Sequence, residues 1–484
     1  MSKLNRNEIV ESLKKITSES QVVTTLEVLQ ECSADRFRKV EWYFDKYTQP
    51  LPAAVVYAEN KEEILKIIEF ANENDINVVP KTGGSATEGG LETVVENSIV
   101  LDASRMNKII EINETDMQVT CECGVPLEDL ENKLRAMGYT TGHSPQSKPI
   151  AMMGGLVATR SIGQFSTKYG GIEDMVIGLE AIFPNIGLVK IKDVPRRAAG
   201  PDIRHIIIGN EGTLCFITEV VVKIFKYYPE NNRYFGYLLD DMVTGLNVLR
   251  EVITTGYNPS VARLYDEDDA SRHFSQFSKG KCVVVFMAEG PKALAEATAK
   301  GILDVVSKIP NTEAVDPKII ENWFDHLTWG VDVLEAERKR TMDTMNSVST
   351  TEISGKWSII PQIYKNVMRR IPEEVEDITY LAAHSSHSYI NGTNLYFVYR
   401  HNIKCTPEED INKYHMPIKK IIVEETINAG GSMCHHHGVG KHRSQWIKEE
   451  YTSSYPLLET LKKSFDPNYI MNMDKIIPMK ELKK

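Results

Sequence analysis

Residues 78–90, VVPKTGGSATEGG, decide the fold. A short apolar run ends at Pro80, and four glycines follow among small or hydroxylated residues, so side chains nearly vanish just where a strand would end. Backbone N–H groups can then converge on an anion such as a pyrophosphate. A glycine-rich turn carries little weight by itself, and the segments around it supply the rest.

Upstream, AAVVYA reads as a strand, and over residues 61–74 Ile64, Ile67, Ile68 and Ala71 fall on one helical face behind the polar first turn of Lys61, Glu62 and Glu63. INVVP is a second strand, so a β-α-β unit delivers the chain into the glycine loop. Downstream, SIVLD and MQVTCEC read as strands, and PLEDLENKLRAMGY as a helix opening on a proline suited to its first turn. Two more small-residue segments follow, TGHSPQSKPIAMMGGLVATRSIG (141–163) and GNEGTLCFITEVVVKIF (209–225). Three such segments, each beside strands, predict a composite dinucleotide site. Residues before about 50 read as short helices and a loop, a lead-in. After Tyr227 strands and helices alternate through YFGYLLD, VARLYD and CVVVFMAEG as an α+β layer.

The composition suits this picture. With 484 residues, 42% of them hydrophobic, the chain can fill two or three domains. A formal charge of −11, from 56 basic and 67 acidic residues, disfavours nucleic acid or an anionic membrane as partner. No apolar run reaches the length of a membrane span, and MSKLNRNEIVESLKKI has no apolar signal core, so a cytoplasmic location is expected. The seven cysteines are scattered; Cys121 and Cys123 sit two apart in an alternating segment and are read as structural.

In this order and spacing, PKTGGSATEGGLE, TGHSPQS, GGLVATRS and GNEGTLCFITE resemble the FAD-binding domain of the vanillyl-alcohol oxidase and p-cresol methylhydroxylase superfamily. The C-terminal CHHHGVGKHRSQW is similar to a motif of alkyldihydroxyacetonephosphate synthase (alkylglycerone-phosphate synthase) and its uncharacterised bacterial FAD-linked oxidoreductase relatives. The resemblance implies an α+β, two-lobed protein: a lead-in at 1–45, a p-cresol methylhydroxylase-type FAD-binding domain at 46–227, an α+β substrate cap at 228–430, and a segment at 431–484 that returns to the FAD domain. It places FAD against Pro80, Lys81, Thr82, Gly83, Gly84, Ser85 and Ala86, with contacts from Pro145, Gln146, Ser147 and Ala151, from Thr159, Arg160, Ser161 and Ile162, and from Glu211, Gly212, Thr213, Leu214 and Ile217. Relatives that bind FAD covalently through this loop carry a histidine just after the paired glycines. Ser85 stands there, so non-covalent FAD is expected.

Arg263 and Arg338 match arginines the synthase family uses for activity, with the Arg338 position contacting substrate; alone, each would read as a surface arginine. The alternation in NLYFVY puts Tyr396 and Val398 on one face, and the resemblance gives Tyr396 the general acid/base role. A phenol fills that role only if neighbours lower its pKa, and the His435, His436, His437 triple is the expected neighbour, poised near neutrality by mutual repulsion. His384 and His387 read as a structural or substrate-facing pair. Metal-dependent D-2-hydroxyacid dehydrogenase relatives have histidines where Tyr389 and Tyr396 stand and an acidic residue at His436, so no metal is expected. The expected activity is oxidation of a small anionic hydroxylated substrate, of hydroxyacid or polyol phosphate type, by hydride transfer to flavin N5. Two alternatives stay open: synthase-like ether formation through a flavin adduct, and a flavin-binding electron-transfer subunit. The electron acceptor is open, with an electron-transfer flavoprotein as one candidate, as is assembly, with a homodimer as one arrangement.

Overall fold

Strand Val78–Lys81 runs into the glycine loop beside Ile99–Asp102, with which it pairs in parallel. That strand lies between Val78–Lys81 and Ala54–Tyr57, so the two strands of the β-α-β unit are separated by a third, and Val22–Val23 closes the far edge. The computed structural model describes residues 2–328 and 331–482. Helix Lys61–Glu73 is capped by the Asn60 side chain, which accepts from the Glu63 amide, and it buries Ile64, Ile67, Ile68 and Ala71 against this sheet. Pro126 is the N-cap of helix Leu127–Ala136, one place before the first turn where the sequence suggested it.

The second sheet of this lobe is antiparallel, in the order Ile109–Asn113, Gln118–Glu122, Phe216–Lys223, Val176–Phe183, Gly187–Ile191. Cys121 within it and Cys123 just beyond are fully buried free thiols. The cap is an eight-stranded antiparallel sheet running from Glu313–Val315 through Arg233–Leu239, Cys282–Ala288, Val261–Tyr265, Ile378–Ser385 and Gly392–Asn402 to Asn346–Lys356, with Ser388–Tyr389 paired to Gly392–Asn402. Helices Met242–Thr254, Lys292–Val306, Ile360–Glu374 and Met416–Asn428 contribute buried residues to the core under one of its faces. The C-terminal segment then returns to the first lobe: Met471 bridges Val78, and the Asn472 amide donates to the carbonyls of Gly90 and Glu211. Among the described residues no helix is long and apolar enough to cross a membrane.

Candidate active site

Strand alternation builds one wall of the candidate site. Ala262 and Leu264, Ala383, Leu395 and Phe397, and Ile353 all lie in the cap core. Their odd-step neighbours therefore face the other way, and Arg263, His384, Tyr396, Val398, Val348 and Thr350 line one cavity of about 460 Å³. The other wall of that cavity is the glycine loop, so the cap sheet lies over the FAD-binding lobe.

Pro80 to Ala86, Pro145, Gln146, Ser147, Thr159, Ser161, Ile162, Glu211, Gly212 and Ile217 all line the cavity. Ala151, Arg160, Thr213 and Leu214 do not: the Arg160 guanidinium turns outward to Glu173 at 3.0 Å, and Ala151 packs in the core below. The cradle fits FAD. Gly83 is pressed so closely on the Ile150 carbonyl that a Cβ would sit 2.3 Å from it, while a Cβ on Gly84, at φ +70°, would meet nothing nearer than Lys81 Cε at 3.7 Å. One glycine packs the loop down and the other leaves open the face a diphosphate would approach. Gln164, 4% exposed and on the cavity wall, has a buried Oε1 without a hydrogen-bond partner, the kind of orphan acceptor a ring N–H satisfies.

The histidine loop hangs from one carboxylate. Glu352 continues the inward-facing series 348, 350, 352, and its Oε1 accepts the amides of His435, His436 and His437 at 3.2, 3.0 and 2.9 Å. Its Oε2 pairs with Arg443, which is fully buried and also donates to Glu88 at 2.9 Å and to the Met433 carbonyl at 2.7 Å. Lys419 pairs with the same Glu88. This buried quartet joins the glycine loop, a cap strand, a cap helix and the histidine loop, and the Arg443 guanidinium holds the Glu352 carboxyl well below its usual range despite burial. Glu211 steadies the next turn, accepting the Val439 and Gly440 amides at 2.7 Å each, while burial pushes its carboxyl up to about 7.

Two electrostatic expectations are corrected. Tyr396 does meet the histidines, at ring-centroid distances of 5.9 Å to His436 and 5.4 Å to His437, but burial outweighs them and pushes its phenol up to about 12. Its hydroxyl donates to Thr350 at 3.0 Å and stays protonated. His435 and His436 are not poised near neutrality either: burial lowers His435 to about 4 and His436 well below its ordinary value, so both are neutral imidazoles. Among the three, His436 and His437 line the cavity and His435 stands behind them.

Arg338 is not brought to the cavity. Helix Val331–Thr344 turns Leu334 and Glu337 inward, and Arg338 points out to Asp45 at 3.2 Å. Arg263 is 4% exposed, its Nε donates to the Tyr265 hydroxyl at 2.6 Å, and no carboxylate among the described residues pairs with it. Arg272 joins it on the cavity wall. His384 Nδ1 donates to the Asp269 carboxylate at 2.7 Å and its ring stacks on Tyr396 at 4.7 Å, and His387 shares a hydrogen with Ser166 at 2.7 Å. Arg272 and Asp269 had no signal in the sequence beyond an ordinary charged helix, EDDASRH. Arg36, Phe37 and Lys39 also line the cavity, so the N-terminal segment is more than a lead-in. Ring nitrogens of His387, His435 and His436 lie within 4.8 Å of one another, as do donor atoms of Glu88, Glu352 and His437; His435 and His436 share a hydrogen bond in the first group, and His437 faces Glu352 at 3.0 Å in the second.

Comparison with known proteins agrees with this geometry. Residues 52–191 match the model of an FAD binding domain, and residues 228–476 that of the C-terminal domain of FAD linked oxidases. An Escherichia coli K12 protein described as uncharacterized FAD-linked oxidoreductase YgcU is 58% identical over 99% of this chain and 100% of its own length. The alkyldihydroxyacetonephosphate synthase of Dictyostelium discoideum is 28% identical over 88% of this chain and 73% of its own. Crystalline p-cresol methylhydroxylase with substrate bound superposes with a TM-score of 0.75 at 15% identity, over 98% of this chain and 97% of its own, so the two share a fold. With FAD as its cofactor, the chain belongs to the FAD-linked oxidase family.

Proposed function

We propose that this protein oxidises a small anionic hydroxylated compound, a hydroxyacid or polyol phosphate. The observation that carries the reading is Arg263: a cation 4% exposed, without a carboxylate partner among the described residues, on the wall of the FAD cavity. A buried charge left unpaired is costly, and a ligand anion offsets that cost. Bound FAD supplies the two-electron acceptor for the hydride of the carbinol carbon. The chain's own residues do the remainder. Arg263, with Arg272 beside it, holds the anionic group by the planar fork of the guanidinium. His436 takes the hydroxyl proton: it is neutral, and its Nδ1 is engaged with His435, which leaves Nε2 for the ligand. Protonated Tyr396, its hydroxyl held on Thr350, sets its ring beside the substrate, and His384, fixed by Asp269, buttresses that ring.

Anaerobic mixing of the FAD-loaded protein with a panel of hydroxyacids and polyol phosphates tests this. Stable bleaching by at least one member, lost in Arg263→Ala, is expected; no bleaching by any anion overturns it. The synthase resemblance in CHHHGVG supports a second reading, ether formation with a fatty alcohol. Exchange of fatty alcohol into an acylated dihydroxyacetone phosphate, with no bleaching by the panel, would favour it.

A further inference from the structure

A second cavity of about 620 Å³ lies behind the histidine loop. His436 lines both cavities, whereas His435 and Tyr389 line only the second. Exposed Lys356, Asn391 and Gly430 are among its lining residues, so it meets solvent. Between the two cavities runs an unbroken chain of hydrogen bonds: His436 Nδ1 to His435 Nδ1 at 2.9 Å, then His435 Nε2 to the Tyr389 hydroxyl at 2.7 Å. No other function in the site uses Tyr389.

We infer that His436, His435 and Tyr389 form a relay that carries the substrate's hydroxyl proton from the FAD cavity into the second, solvent-facing cavity. The inference rests on the oxidation proposed above. One assignment of hydrogens satisfies every bond: His436 carries Nδ1–H and donates to His435 Nδ1, His435 carries Nε2–H and donates to the Tyr389 oxygen, and Tyr389 donates outward. When the substrate O–H breaks, its proton binds His436 Nε2. The Nδ1 hydrogen of His436 passes to His435 Nδ1, the Nε2 hydrogen of His435 passes to the Tyr389 oxygen, and the original Tyr389 hydroxyl hydrogen leaves to water. One proton enters and one leaves, and each of the three groups ends neutral with its hydrogen moved across.

The environment suits such transfer. Burial lowers the pKa of both imidazoles and raises that of the Tyr389 phenol, so none of the three rests as an ion and each can both give and accept. The position of Tyr389 is also fixed independently of His435, since the Trp357 indole donates to its backbone carbonyl at 3.2 Å and the residue pairs with Gly392.

Tyr389→Phe keeps the ring and removes only the relay oxygen. With whichever panel compound bleaches the FAD-loaded enzyme, the variant should bleach about tenfold more slowly or worse, with an unchanged apparent binding constant. Its solvent deuterium isotope effect should rise, and millimolar imidazole, entering the second cavity, should restore the rate. A merely structural tyrosine would give a deficit that imidazole does not rescue, and that result, or an unaltered rate, overturns the relay. A neutron structure of the FAD-loaded wild type needs no substrate and decides independently. It should show one hydrogen between the two Nδ1 atoms and a water on the Tyr389 hydroxyl. A dry second cavity, a broken Nδ1–Nδ1 contact, or a stoichiometric metal on those nitrogens refutes the inference. If no panel compound bleaches the flavin, the oxidation reading fails while the neutron result still judges the relay.

Discussion

Glu352→Gln is the perturbation that most directly tests how the histidine loop is held. Glutamine keeps the shape of the side chain and can still accept the three amides of His435, His436 and His437, but it removes one of the two carboxylates facing Lys419 and Arg443. Glu352 and Arg443 are both fully buried, so solvent screens neither. Breaking a buried ion pair by neutralising one member costs about 3–5 kcal/mol, because the partner charge is left in a medium that solvates it poorly. If that loss falls on the loop, its amides should open between about a hundredfold and a few thousandfold more often, at about 1.4 kcal/mol per factor of ten. Hydrogen–deuterium exchange on a peptide spanning 433–443 reads this, with helix Met242–Thr254 in the cap core as the internal reference. Unchanged protection of the 433–443 peptide in a folded variant would refute the anchoring argument. Equal loss in both peptides would mean that the quartet supports the whole molecule and not the loop.

Non-covalent FAD follows from Ser85, so acid precipitation should leave a yellow supernatant and a colourless pellet; a coloured pellet would contradict it. Gly84→Val should give folded but colourless protein, since its side chain would rise into the open face of the cradle at φ +70°, and full flavin occupancy would mean the cofactor loop is elsewhere. Elemental analysis should find less than a stoichiometric amount of zinc, manganese or iron, and chelation should leave flavin bleaching intact; loss of bleaching on chelation would restore a metal-dependent mechanism. Buried imidazoles remove stability on acidification, in the sense opposite to the Glu211 and Asp266 carboxyls that burial pushes up to about 7: His435 ionises at about 4 in the folded chain and at 6.5 unfolded, so at this residue the unfolded chain binds more protons between those values. Its contribution is complete above about 6.5 and is lost as pH falls toward about 4, and His387 and His436 act in the same direction. On acidification across this window the melting midpoint of wild type should lose ground relative to that of His435→Gln, and parallel profiles would show that the imidazole is not buried.

The cofactor lobe was legible because its signals are local. A glycine loop after a strand, a helix with Ile64, Ile67 and Ile68 on one face, and alternating NLYFVY each state their own conformation. Alternation correctly paired Tyr396 with Val398, yet it could not say which sheet face meets a helix core and which a ligand. Arg338 and Arg263 illustrate the limit. Both carry the same chemistry, but one sits at an exposed step of a helix and the other at an inward step of a strand, and the choice depends on packing partners far away in sequence. The pKa expectations for Tyr396 and the histidines erred for a related reason: neighbours can be guessed from a motif, whereas depth of burial, which dominated here, cannot.

The quartet shows why depth and partners have to be seen together. Glu88 stands at the end of the glycine loop and reads in sequence as one more polar loop residue, but it shares Arg443 with Glu352, 355 positions away along the chain for the first pair and 91 for the second. Any shift of the glycine loop on taking up a diphosphate therefore pulls on the same guanidinium that fixes the strand bearing Glu352, from which the histidine loop hangs. Because desolvated charges lose their stabilisation steeply with separation, the quartet resists that shift as a unit, and the cofactor loop and the histidines keep their registry across the two lobes. FAD binding should then tighten the histidine loop through the quartet, so exchange at 433–443 in wild type should slow on loading the apoprotein. In Glu352→Gln the same loading should leave it unprotected, since the connection between the lobes would be cut at its centre.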